Sequence, residues 1–141
     1  MNKRFWICGL VMSIAAMVLD FLIHGLLLQG DYAALAEQGF VRGAEDGRRH
    51  LPWMLLAHLA IGFGLTWLYS LLHPRAGGSA RDGLRFGAAM TLAASLPGYL
   101  VYYAVQPWPA LLVAKQIIAS GIAMLLLGLL IAWLEPRRAV L

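Results

Sequence analysis

Of the chain's 141 residues, 61% are hydrophobic and only 13% charged, and the mean hydropathy is +0.73. A water-soluble domain is nearer a quarter charged, so lipid must cover this surface, and the composition describes one integral membrane domain. The formal charge of +4 and pI near 9.6 do not indicate a nucleic-acid partner, because the basic residues flank apolar runs instead of forming one stripe.

The first apolar run, Phe5–Leu28, follows the basic Lys3 and Arg4. It is roughly twice as long as the h-region of a signal peptide and reads as an uncleaved first transmembrane helix. Cys8 is the only cysteine, so an internal disulfide has no partner. The segment 29–51 opens with "DYAALAEQG", where Asp31 is placed to cap and Gly39 to end a short interfacial helix. The second run, Pro52–Leu72, starts on a proline suited to a first helical turn. The third, Phe86–Val105, follows "SARD" (Ser79 to Asp82), whose capping-box spacing predicts that the helix begins in the aqueous loop. "QPWP" (Gln106 to Pro109) cannot continue a helix and predicts a tight turn into the fourth run, Ala110–Leu134. A helix needs about 20 apolar residues to cross a bilayer, so the expected fold is all-α, a bundle of four transmembrane helices.

Lys3, Arg4, Arg75, Arg81, Arg85, Arg137 and Arg138 fall on one side of these spans. The other side holds Arg42, Arg48 and Arg49, diluted by Asp31, Glu37, Glu45 and Asp46. The positive-inside rule therefore predicts both termini cytoplasmic, with 29–51 and "QPWP" outside. Trp6 and Trp133 then mark the inner interface, and Trp53 and Trp108 the outer.

Depth follows from the helical rise of about 1.5 Å per residue. His24 falls about 6 Å and Asp20 about 12 Å below Leu28, and His58 about 9 Å below Pro52. Tyr102 and Tyr99 fall about 5 and 9 Å below Val105, and Lys115 about 8 Å below Ala110, with Gln116 beside it. All four spans thus contribute to one polar layer in the outer half of the bilayer. An Asp or Lys near a helix centre costs roughly 2.5–3.5 kcal/mol on insertion, so such groups face a bundle interior or a wet cavity and find partners. Asp20 with Lys115 is the expected charge pair, with the histidines and tyrosines completing a network. Alternatively, Lys115 snorkels to the outer headgroups, an escape the short Asp20 lacks.

"SLPGY" (Ser95 to Tyr99) puts Pro97 and Gly98 in the third span at this level. Pro97 removes a hydrogen bond to the Ala93 carbonyl, which predicts a kink or hinge that widens the bundle, with Ser95 re-satisfying part of the backbone. An ordinary transmembrane Pro-Gly is the plainer alternative. "GLRFG" (Gly83 to Gly87) and "AIGFG" (Ala60 to Gly64) predict close helix packing, and Gly83 with Gly87 has the spacing of a dimerisation motif. The scattered methionines read as filler, and His50 and His73 as solvated or interfacial.

Several chemistries fit the polar layer. Asp20, His24 and His58 form a two-histidine, one-carboxylate set for a metal, which a nearby Lys115 would oppose. His24 and His58 also stand at similar depth on different spans, as a bis-histidine haem would require. Intramembrane Asp, His and Lys suit proton relays, and hence proton-coupled or small-ligand transport. A lipid-modifying enzyme is less well matched, because Ser13, Ser70, Ser95 and Ser120 have no histidine at local spacing. The plainest reading is a buried network that sets helix register in a non-catalytic subunit or accessory protein.

"LDFLIHGLLL" followed by "DYAALA" resembles a group of small bacterial membrane proteins with four helices and no established activity. The resemblance rests on Asp20, His24, Gly25, Tyr32 and the Gly83–Gly87 stretch. It implies the four-helix architecture and a bacterial inner (plasma) membrane, and supplies no substrate. Small multidrug exporters are less similar, since they carry a glutamate in the first helix and this first span has none.

The sequence thus leads to a multi-pass bundle, allowing a homodimer or a larger membrane complex and naming no cofactor. Its pocket would be built from Asp20, His24, His58, Tyr99, Tyr102 and Lys115, with Pro97 and Gly98 as a hinge.

Overall fold

The first span is helical over Lys3–Asp20 (α1), and the computed structural model describes this and the other residues within 3–72 and 78–135. Arg75, Arg137 and Arg138, which entered the charge count, and His73 lie outside the described residues. At Phe21–Leu27 the helix widens into a π-turn, closed by Leu28 N–H donating to the Ile23 carbonyl at 2.8 Å. The expected uninterrupted helix to Leu28 is therefore corrected at the segment that carries His24. The extra residue per turn re-aims the side chains beyond Asp20.

Two short helices follow where one was expected: Gln29–Glu37 (α2) and Ala44–Arg49 (α3). Asp31 does not cap α2, because Leu28 holds the N-cap position and Asp31 already lies in the first turn. Gly39 does end the helix. Its φ of +76° suits a residue without Cβ, and Gly39 N–H and Phe40 N–H donate to the Ala36 and Leu35 carbonyls in a Schellman pattern. In α3, Arg42 and His50 bracket Asp46, and the hydrogen bond from Arg42 holds the Asp46 carboxyl below its ordinary range.

Leu51–Leu72 (α4) has Pro52 in its first turn, where the missing N–H is not needed. The capping box forms as read: Asp82 N–H donates to Ser79 Oγ, and Ser79 N–H donates to Asp82 Oδ2 at 2.9 Å. Ala80–Met90 (α5) therefore starts six residues before the apolar run. A second π-turn, Thr91–Ser95, leads into Leu96–Val105 (α6), which has Pro97 in its opening turn. The π-turn ends immediately ahead of this helix, and Ser95 holds its N-cap position without a side-chain capping bond. After the Gln106–Pro109 turn comes Ala110–Leu134 (α7). The described residues contain helices and no strand, and four helical stretches are long and apolar enough to cross a membrane.

The bundle is two helical hairpins. α1 packs along α4, α5 packs along α7, and α1 against α7 joins the pairs. Glycine makes both hairpins close. A Cβ on Gly62 would overlap the Ser13 backbone, and one on Gly128 would overlap the Gly83 carbonyl. Gly83 and Gly87 thus pack within the chain, against α7, as the close-packing reading of their spacing expects. Arg4 donates to the Leu134 carbonyl at 2.7 Å, so α1 begins at the end where α7 finishes. Near that end lies an apolar core of Met12, Ala16, Leu65, Tyr69, Phe86, Leu127 and Ile131. At the other end α2 folds back so that Leu28, Leu35 and Leu112 form a second cluster beside Trp108.

Candidate functional site

Between the two apolar clusters, Asp20 stands at the last residue of α1, where the α-helix passes into the π-turn. Its Oδ1 lies 3.5 Å from His24 Nε2 and its Oδ2 lies 3.5 Å from His58 Nε2. Three of the six expected pocket residues are therefore brought to one point, by α1, its π-turn and α4.

The other ring nitrogens show which protons are in place. His58 Nδ1 is 2.6 Å from the Met54 carbonyl oxygen, which only accepts, so Nδ1 carries a proton and donates it. The free position on His58 is Nε2, facing Asp20. On His24, Nδ1 is 2.7 Å from the Tyr32 hydroxyl, and Gln116 Nε2 donates to that same oxygen. Tyr32 thus bridges Gln116 and His24. His24 Nε2 faces Asp20 Oδ1, and a place for one further proton lies between Asp20 Oδ2 and His58 Nε2. A proton there makes a carboxylate–imidazolium pair. Without it, a lone pair faces a carboxylate.

Tyr99 joins from α6. Its hydroxyl lies 3.4 Å from His24 Nε2 and 2.9 Å from Ser120 Oγ on α7. Ser120 thus reaches a histidine through Tyr99, although no local spacing connects them. Tyr102 lines the same space, but its ring stacks on Trp108 with centroids 5.8 Å apart. Its place is at the rim, stacked on an aromatic, and not among the hydrogen bonds at Asp20.

Lys115 does not meet Asp20. Its Nζ lies 2.9 and 3.1 Å from the two oxygens of Asp31, so the expected Asp20–Lys115 pair is replaced by Asp31–Lys115. The side chain runs toward α2, which folds back to supply the carboxylate. Depth arithmetic placed Lys115 and Asp20 in one layer but said nothing about which way each faces. Tyr32 and Asp31 escaped that arithmetic for a related reason, since both sit on a loop helix that only the fold returns to the layer. Burial pushes Tyr32 up to about 12, so its hydroxyl keeps its proton over the whole neutral range.

Two cavities share the Asp20–His58 wall. One, of about 380 Å³, lies between the hairpins and is lined by Leu19, Ile61, Tyr99, Ser120 and Met124, among others. The second, of about 570 Å³, lies between α1 and α4 against Met17, Phe21, His24, Met54 and Leu55. Both π-turns border the first cavity, through Ile23 on one and Ala94 and Ser95 on the other, and Gly98 from the expected hinge lines it too. No set of three His, Cys, Asp or Glu side chains among the described residues is arranged to hold a metal ion. Comparison with family models, curated proteins and solved structures finds no match to the chain.

Proposed function

We propose that this protein is a non-catalytic multi-pass membrane protein, a subunit or accessory component, that holds a small ligand in a proton-binding pocket in the outer half of the bilayer. The observation that carries this reading is Asp20 between two imidazoles, on the wall that two cavities share. A carboxylate there without a permanent cation as partner is costly, and a proton held with His58 offsets that cost. The π-turns support the same reading, since such bulges gather at functional sites and here border one cavity. Cytoplasmic termini follow from the placement of Lys and Arg, and a bacterial inner membrane follows from the family resemblance.

The test is to follow the two imidazoles by isotope-edited NMR in lipid nanodiscs. His24 and His58 are expected to titrate as one coupled unit, and Asp20→Asn to separate them. Two independent titrations unaffected by Asp20→Asn would overturn the reading. A second reading, a carrier of protons or small ligands, is favoured by the cavities lying on both sides of the Asp20–His58 pair. It requires proteoliposome flux that Asp20→Asn abolishes. Stoichiometric metal, or a Soret band lost in His58→Ala, would instead favour the metal or haem alternative.

A further inference from the structure

The charge of the pocket follows from where Lys115 goes. With Lys115 held by Asp31, neither cavity is lined by a lysine or an arginine, and Asp20 is the one acidic residue on their walls. We infer that the cavity between the hairpins binds a monovalent organic cation carrying an aromatic ring, in exchange for the proton shared by Asp20 and His58. This inference rests on the proposed proton-binding pocket and names its ligand class.

Three properties of the cavity select that class. The first is charge. An anion would meet a carboxylate with no lysine or arginine on the walls, whereas a cation takes the place of the proton and leaves the site neutral. The second is polarity: apart from Asp20 and His58, the polar lining consists of the hydroxyls of Ser95, Tyr99, Tyr102 and Ser120, and the remaining walls are aliphatic. A strongly hydrated metal or ammonium ion would lose more water than these groups replace, while a ligand with its own apolar body gains by burial. The third is shape. About 380 Å³ is near the lower end of ligand pockets and suits a one-ring molecule, with Tyr99 and Tyr102 among the lining residues.

The groups facing Asp20 decide the pH dependence. They are His24 on its own helix, His58 on α4 and Tyr99 on α6. Beyond them, Tyr32 on α2 is hydrogen-bonded to His24 and Gln116, and the charged Lys115 on α7 is held by Asp31. His24 and His58 are therefore the groups beside Asp20 that can take up a proton, and each proton they take opposes the cation.

The experiment is titration calorimetry on the full chain in nanodiscs, using benzyltrimethylammonium and its uncharged carbon isostere, neopentylbenzene. The cation is expected to bind more tightly as pH rises from about 5 to about 8. Its heat should depend on the buffer's ionisation enthalpy, reporting a released proton. The isostere should show neither effect. Asp20→Asn should weaken the cation by about tenfold or more and leave the isostere unchanged. Should Asp20→Asn fail to fold, the wild-type comparison of cation with isostere still decides. Equal, pH-independent binding of both probes would overturn the inference, as would no binding of either. In both cases the coupled histidine titration shows separately whether the proton-binding pocket stands.

Discussion

Lys115 and Gln116 are neighbours on α7, and both reach α2, one through Asp31 and the other through Tyr32. The Asp31–Lys115 pair is part-exposed, with the lysine side chain 42% accessible, so its coupling is expected at about 0.2–1 kcal/mol in a double-mutant cycle of Asp31→Asn and Lys115→Met. The cycle of Asp20→Asn with Lys115→Met should instead be additive within about 0.5 kcal/mol, since the two do not touch. Tyr32 matters more, because its hydroxyl serves both Gln116 and His24. Tyr32→Phe should destabilise the detergent-solubilised protein by about 1–3 kcal/mol and free the His24 ring, seen as a change in its NMR titration. Because the fold raises the Tyr32 pKa to about 12, it favours the neutral hydroxyl. Its contribution is complete below the ordinary tyrosine value and is lost as pH rises through about 12, which tyrosinate absorbance can follow. Asp20, His24, His58 and Tyr99 were legible in the sequence because helical rise alone sets their common depth. The grouping of Asp20 with the two histidines was legible too, but the partners of Lys115 and the part of Tyr32 were not, because rise fixes no direction around the helix and says nothing of a helix that folds back.

At the scale of elements, the boundaries written in local chemistry were the readable ones. The Ser79–Asp82 box, Gly39 and Gln106–Pro109 each act within a few residues, and each ends or begins a helix as expected. The π-turns leave no comparable signature. The one at Thr91–Ser95 is tied to Pro97 only after the fact, and the one at Phe21–Leu27 contains no proline. Glycines of similar appearance also separate here. Gly62→Ala and Gly128→Ala force Cβ atoms into facing backbone and should each cost about 1–3 kcal/mol, read as a lower Tm. Gly64→Ala meets nothing within 4 Å and should be neutral or stabilising by up to about 1 kcal/mol. If Gly128→Ala altered oligomeric state while leaving Tm unchanged, the intrachain role assigned to this contact would be wrong.

For the whole molecule, four spans with both described chain ends at one pole could be read from apolar run lengths and the number of crossings. That pairing into α1–α4 and α5–α7 leaves a cavity between the hairpins could not, because it depends on which small residues meet. Cys8 is buried, 3% accessible, so a labelling experiment has little background. If the termini are cytoplasmic, as proposed, a cysteine placed by Gly47→Cys should react in intact cells with a membrane-impermeant maleimide, and one placed by Ser79→Cys should react only after lysis. The reverse pattern would invert the orientation.

The distribution of partners between the hairpins bears on how the chain enters the bilayer during synthesis. Asp20, His24 and His58 all belong to the first two spans, and Tyr99 and Ser120 both belong to the last two. If the proposed spans insert in order, Asp20 meets both imidazoles once the second span has been made. The contacts between the hairpins, such as Arg4 to the Leu134 carbonyl, would then close only after the last span has arrived.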